Sequence, residues 1–359
     1  MNRRQPSRFF EVVLAILLVG LSGPPSAVAA PNEAGSWTVV RAVSGHFTPR
    51  EECAFVECDG RFYLLGGRGI DPVDIFDPKT GGWSQGAPPP VEVHHFQPVV
   101  HDGRIYIACA MTGKYPREQP IDRILVYEPE KDAWSWGEAI PAERRRGSAG
   151  SAVHDDTLIL VCGITNGHTD GWVSWCDAYD FKTSRWSVLP DAPRARDHFE
   201  AGIVGKKLYA AGGRRSSAIT KQVFDLTIAE VDVYDFAAKT WSTLSAVSNL
   251  PTPRAGTAAL AVGPDLIVFG GESMAQTPSH AEVQALDTRT GQWRCLPSLL
   301  QGRHGAGVVL SDGAFYTCAG AGERGGKPLL STMERLNLQS GNSHEPNGGI
   351  APKLSFTTP

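Results

Sequence analysis

The sequence predicts an all-β fold, a six-bladed β-propeller with four antiparallel strands per blade. One observation is a landmark series repeated six times: an Arg or its equivalent, a small-residue pair, an aromatic or Leu, and a Trp. The series runs Arg50–Gly66–Phe76–Trp83, Val93–Cys109–Tyr127–Trp134, Arg146–Cys162–Tyr179–Trp186, Arg196–Gly212–Tyr234–Trp241, Arg254–Gly270–Leu286–Trp293 and Arg303–Ala319–Leu336. A second observation is its spacing. The first landmark precedes the second by 16 residues in all six units, and the third precedes the Trp by 7 in the five units that have one. The middle interval runs 10, 18, 17, 22, 16 and 17. Fixed spacing marks paired strands whose register cannot slip, and variable spacing marks a loop free to diverge.

Local chemistry fills in each unit. "RFYLLGG", "RIYIACA", "TLILVCG", "KLYAAGG" and "DLIVFGG" are short, β-rich runs that end in small residues. Asp59-Gly60, Asp102-Gly103, Asp155-Asp156 and Asp312-Gly313 supply tight turns between the first two strands. Polar turns such as "DPKTGGW" and "DTRTGQW" deliver the Trp to a fourth strand. The blade starts fall near Arg50, Val93, Arg146, Arg196, Arg254 and Arg303. Four strands recurring at roughly 50-residue intervals are the mark of a propeller.

The sixth unit has no Trp of its own, because Ser343 stands seven residues past Leu336 in a stretch that reads as loop. Near the other end, "AGSWTVV" offers Trp37 in the setting of Trp83 and Trp293. The N-terminal strand around Trp37 is therefore expected to complete the sixth blade and remove an exposed edge.

These units resemble kelch repeats, in which the twin glycine, the later Tyr and the spaced Trp are the defining residues. The likeness covers Trp37 to about Leu338. It departs at Cys109-Ala110, Cys162-Gly163 and Ala319-Gly320 in place of Gly-Gly, and at Leu286 and Leu336 in place of the aromatic. The resemblance implies a galactose oxidase-like propeller superfamily, with a partner or ligand pocket lined by loops on one face.

Arg3, Arg4 and Arg8 precede an apolar stretch from Phe9 to Leu21, and Ala27-Val28-Ala29 offers a cleavage site. Residues 1–30 read as a signal peptide, 31–340 as the propeller and 341–359 as a mobile tail. The apolar run is shorter than the ~20 residues a spanning helix needs, so no stable membrane span is expected after cleavage. A secreted or periplasmic protein follows. The chain has 42% hydrophobic and 20% charged residues and a net charge of −4, which gives no sign of a nucleic-acid binder. Its seven cysteines are an odd count for an oxidising compartment, and Cys162 with Cys176 is the pair that adjacent strands would bring together.

Antiparallel strands place the six Arg-position strand starts and the six variable loops on one rim. Arg50, Arg146, Arg196, Arg254 and Arg303 would then form a ring suited to carboxylate, sulfate or phosphate, or else each would bond a neighbouring blade. His95, His198 and His304 follow within two residues of the ring, as do Glu51 and Glu52. They fit an inter-blade hydrogen-bond belt, ligand-contacting imidazoles or a His/Glu metal site. Loop residues Tyr115, His168, Trp172, Trp175, Arg214 and Arg215 add aromatic faces beside cations, which suit a sugar or a peptide aromatic.

The primary expectation is a monomeric binding module that takes a protein, a glycan or an anionic small molecule at the loop-lined mouth, with no metal or cofactor. No local catalytic signature is present. The alternative is a carbohydrate-active enzyme. Galactose oxidase requires copper held by two Tyr and two His, one Tyr crosslinked to Cys, a set not found here. Bacterial sialic-acid mutarotases are closer in outline, and that sugar epimerase or mutarotase reading assigns catalysis to Glu52, His198 and Arg196.

Overall fold

The computed structural model describes residues 35–338. The expected signal peptide and the expected C-terminal tail lie outside the described residues. Among the described residues no helix is long and apolar enough to cross a membrane.

Six four-stranded antiparallel sheets form the blades. Blade 1 is Cys53–Cys58, Arg61–Gly66, Val73–Asp77 and Gly82–Gly86 from the axis outward. Blades 2 to 5 repeat the order with inner strands Val99–His101, Gly150–His154, Ala201–Val204 and Ala258–Val262. In the first hairpins both central residues of Asp59-Gly60, Asp102-Gly103 and Asp312-Gly313 have positive φ, as a two-residue turn matched to the strand twist requires. Two loops carry small hairpins that the spacing did not foretell, Met111–Thr112 with Gln119–Pro120 and Ile164–Asn166 with Asp170–Trp172.

Blade 6 comprises Val308–Ser311, Ala314–Cys318 and Met333–Asn337, and its outer strand is Thr38–Val39. Thr38 pairs with Arg335 and Val39 with Glu334, a register that sets Trp37 beside Leu336. Trp37 is buried, donates from Nε1 to Pro297 O at 2.8 Å, and meets Phe269 edge-on at 6.5 Å. Trp134, Trp241 and Trp293 likewise donate to the preceding blade, at Ala87 O, Pro190 O and Ser248 O. Trp37 thus takes the place of the missing sixth tryptophan. The segment then crosses to blade 1, where Val43 N donates to Gly81 O and Trp83 N to Ser44 O.

Both fixed intervals have a physical cause. The 7-residue step joins direct cross-strand partners: Phe76 with Trp83, Tyr127 with Trp134, Tyr179 with Trp186, Tyr234 with Trp241 and Leu286 with Trp293. In the five units that carry the Arg, the 16-residue step joins a guanidinium to a carbonyl. Arg50, Arg146, Arg196, Arg254 and Arg303 donate to Gly66, Cys162, Gly212, Gly270 and Ala319 O respectively.

The same arginines reach a side chain on the third strand of their own blade, always two residues before the third landmark. The partners are Asp74, Asp177, Asp232, Gln284 and Glu334. Blade 2 replaces both members at once, with Val93 and Leu125, each buried. The arginine ring expected at the mouth is therefore corrected. Arg50, Arg146, Arg196, Arg254 and Arg303 are buried, and they brace their own blades rather than face a ligand or a neighbouring blade.

The small-residue pair serves the contact between blades. Gly67, Gly163, Gly213, Gly271 and Gly320 donate from N to the carbonyl of Val93, Arg196, Arg254, Arg303 and Arg50. A Cβ on Gly270 would stand 2.3 Å from Arg303 O, and its φ is +56°, so sterics and backbone both favour glycine there. Cys162 and Ala319 hold the same left-handed conformation without glycine. All seven cysteines are free thiols, and all but Cys295 are buried. The anticipated Cys162–Cys176 bridge is absent: Val161, not Cys162, stands opposite Cys176.

Candidate functional site

At the axis, one residue from each blade turns into the left-handed region: Glu52, His95, Ser148, His198, Gly256 and Gly305. Their backbones form a closed circuit of hydrogen bonds. His95 N donates to Glu52 O, Ser148 N to His95 O, His198 N to Ser148 O, Gly256 N to His198 O, Gly305 N to Gly256 O and Cys53 N to Gly305 O, at 2.7–3.2 Å. The inter-blade belt thus exists, but the main chain makes it. Glycine is the economical residue at positive φ, and each other residue there costs about 1 kcal/mol. Glu52, His95, Ser148 and His198 keep side chains despite that cost. They line an axial cavity of about 40 Å³, walled further along by Phe96, Phe199, Glu200 and Thr257. That is room for a few waters or an ion.

Above the belt, the loops leave the blades on the rim where the inner strands begin. Bridges pair Asp197 with Arg214, Ala255 with Glu272 and His304 with Ala321. Side chains from all six blades join there in one polar circuit. Arg68 meets Glu118 Oε1 at 3.0 Å, and Glu118 Oε1 meets His168 Nδ1 at 3.0 Å. His168 Nε2 lies 3.0 Å from His198 Nε2, and His198 Nδ1 is bonded to Asp197. Asp197 accepts from Ser216 Oγ at 2.8 Å, and Ser216 Oγ accepts from Arg214 Nε at 2.9 Å. Arg214 pairs with Glu272, Glu272 lies 3.4 Å from His304 Nε2, and His304 lies 3.9 Å from Glu51.

The expected convergence on one mouth is present, carried by histidines and acids rather than by the five arginines. His95 and His198 meet at the centre with His168, and Glu52 Oε2 comes within 3.2 Å of His95 Nε2. His304 is held by Ser279 and Glu272, and Arg214 is buried against Glu272. Tyr115 is 54% exposed with its ring 5.1 Å from that of His168. Trp172 is 38% exposed, donates to Ser216 O, and carries the Arg215 guanidinium 5.7 Å from its ring centre. Of the three residues assigned to sugar epimerisation, Glu52 and His198 share the axial site. Arg196 does not: it is fully buried, with Asp232, Ala210 O and Gly212 O as partners.

Arg68, Glu118 and Glu272 were not singled out from the sequence. A signal existed for two of them, since Arg68 and Glu272 directly follow the glycine pair, as Arg214 does. Glu118 sits in a loop of unrepeated length and left no such trace.

Burial dominates the electrostatics here. It pushes Glu51 up to about 7 against the opposing charge of Arg68, and pushes Glu52 up to about 7 with help from Glu51. Burial, joined by the neighbouring imidazoles, drives His95 well down, and burial with Arg214 drives His198 to about 3. Burial also opposes the Glu272 carboxylate, but His304 and Arg214 outweigh it and hold the group near 2. Among the described residues two groups have the composition to hold a metal ion, His95–His168–His198 and Glu51–Glu52–His304.

A family model described as Kelch motif matches residues 253–300. The Kelch-like protein terF of Aspergillus terreus (strain NIH 2624 / FGSC A1156) is 28% identical over 345 residues, covering 90% of this chain and 73% of its own length. Kelch-like protein 40 of Xenopus tropicalis is 29% identical over 174 residues, 46% of this chain and 27% of that protein. The chain thus spans only about a quarter of the longer relative. Among solved structures, that of YjhT aligns with a TM-score of 0.65 at 15% identity, over 79% of this chain and 94% of the other. That likeness speaks to the fold alone.

Proposed function

We propose that this chain, a kelch-repeat β-propeller, is an exported binding module that takes a glycan at the loop-bearing mouth. The observation that carries the reading is the pair of half-exposed aromatic rings, Tyr115 and Trp172, standing on loops beside the polar circuit. The landmark repeat requires neither ring, so packing of the blades does not account for them. Flat rings beside hydrogen-bonding carboxyls and guanidiniums suit the apolar face and hydroxyl edge of a sugar. The engagement of all five landmark arginines within their blades argues against a strongly anionic ligand.

The test is a glycan array followed by titration of the best ligand against Tyr115→Ala and Trp172→Ala. Each ring loss is expected to weaken binding about 5- to 10-fold, in line with a contact of about 1 kcal/mol. A folded protein that binds no glycan, or whose affinity ignores both substitutions, overturns the reading. Export is checked separately by N-terminal sequencing of the secreted chain, with a start near residue 31 expected.

A further inference from the structure

The three axial histidines are locked into one tautomer each by what holds their far nitrogens. His94 Nε2 lies 3.1 Å from Gly113 O, a carbonyl that can only accept, so His94 Nε2 carries the hydrogen. Neutral His94 therefore offers a lone pair at Nδ1. His95 Nδ1, 2.6 Å away, must donate to it. That leaves His95 Nε2 as a bare lone pair, buried and without a hydrogen-bond partner even though Glu52 Oε2 lies 3.2 Å away.

The same reasoning covers the other two. His168 donates Nδ1–H to Glu118, and His198 donates Nδ1–H to Asp197. In their neutral forms both therefore turn a lone pair at Nε2 toward the other, 3.0 Å apart. One ring nitrogen from each of the three histidines lies within 4.8 Å of the other two. Facing lone pairs in a buried site repel unless a cation, a metal ion or a proton shared by the two rings, lies between them. The surroundings also lean negative: Glu51, Glu52, Glu118, Asp197 and Glu272 outnumber the cations acting on them, Arg68, Arg214 and Lys327.

We infer that His95, His168 and His198 bind a divalent first-row transition metal through Nε2, with Glu52, whose Oε2 lies 3.2 Å from His95 Nε2 but outside the three-nitrogen group, swinging in as the fourth ligand. Glu118, Asp197 and His94 are the positioning residues, each fixing the tautomer and ring angle of one ligand. An outer shell of this kind accompanies metal-bound imidazoles generally, and three nitrogens with a carboxylate suit zinc or copper. A tetrahedral ion at about 2.0–2.1 Å from each nitrogen needs nitrogens about 3.3 Å apart. His168 and His198, 3.0 Å apart, lie close to that spacing, and His95, within 4.8 Å of both, reaches it by moving at most about 1.5 Å. The group Glu51–Glu52–His304 offers less, because both ring nitrogens of His304 already face Ser279 and Glu272. The repeat alone leaves a His/Glu metal site as one of three readings of His95 and His198, and the metal site does not depend on the glycan reading.

The experiment uses the tagless mature chain, stripped with chelator and titrated with Zn²⁺ and Cu²⁺ by calorimetry and elemental analysis. One equivalent of metal per chain is expected, together with a raised melting temperature. His95→Gln and His198→Gln should each weaken Zn²⁺ binding at least 100-fold. Glu118→Gln should weaken it about 10- to 100-fold, as loss of an outer-shell partner does. Copper-loaded wild-type chain should show electron-spin coupling to three equivalent-type nitrogens, a readout independent of whether any variant folds. Failure of the wild-type chain to retain stoichiometric metal overturns the inference. So does undiminished binding in a folded His95→Gln protein, or a copper spectrum lacking nitrogen coupling.

Discussion

Truncating Trp37 to alanine tests the closure of the ring directly. The indole is 2% exposed, packed against Phe269 and donating to Pro297 O. A buried aromatic removes about 150–250 Å² from water. Allowing for what alanine retains, about 150 Å² at about 25 cal/mol/Å² comes to about 4 kcal/mol. The orphaned Pro297 carbonyl adds about 1 kcal/mol, and the sum agrees with the ~3–5 kcal/mol found for large aromatic truncations. With a urea slope of about 3 kcal/mol/M, the unfolding midpoint should fall by roughly 1.5 M. Trp37→Phe keeps most of the apolar surface but loses the donor, and should cost about 1–2 kcal/mol. Trp136, 40% exposed on the outer strand of blade 2, is the control and should cost under about 1 kcal/mol as alanine. Should Trp37→Ala behave like the control in urea titrations followed by circular dichroism, the strand does not close the ring and the argument for it fails.

The buried arginine–acid pairs invite a transplant from blade 2. Arg303→Val alone leaves Glu334 buried without its guanidinium and should cost about 3–5 kcal/mol, whereas the double change Arg303→Val with Glu334→Leu should recover part of that loss in the same titration. A double variant no better than the single would contradict the coupling. Glu272 sets an acid limb to stability. Because its folded value lies near 2 against an ordinary 4.5, its contribution of about 3 kcal/mol is present above pH 4.5 and disappears as the pH falls toward 2. Glu272→Gln should therefore destabilise the chain at pH 7 and bring the two proteins together near pH 2 in thermal melts. Thiol labelling at pH 8 should modify Cys295 alone in the native chain and all seven cysteines after denaturation, since burial pushes Cys53 and Cys162 up to about 12. A second fast-reacting native thiol would contradict the buried placement of the other six.

The blades were legible because two contacts of fixed geometry leave fixed intervals in the chain. Arg196 reaching Gly212 O imposes the longer step, and Tyr234 facing Trp241 across a turn imposes the shorter. Trp37 was legible for a similar reason, as the one tryptophan able to stand in for a missing landmark. The direction of the guanidiniums was not. An Arg at a strand start reads the same whether it faces a ligand or an acid, and its partner became recognisable only once Asp74, Asp177, Asp232 and Glu334 were seen in register. The histidine group was legible in part. His95 and His198 occupy repeat positions, whereas His168 and Glu118 lie on loops whose lengths differ between units, and the 30-residue separation of His168 from His198 crosses a blade boundary. No periodicity announces such a meeting.

The hydrogen-bonded belt at the axis separates shape from chemistry. Its circumference is held by main-chain atoms, so Gly256 and Gly305 complete it with no side chain at all. What stands in the throat at the remaining four positions is, architecturally, ornament that the hoop does not need. A lineage carrying this hoop is thereby free to trade one throat residue for another, acquiring or discarding a guest by single exchanges while the barrel stave by stave stays as it was.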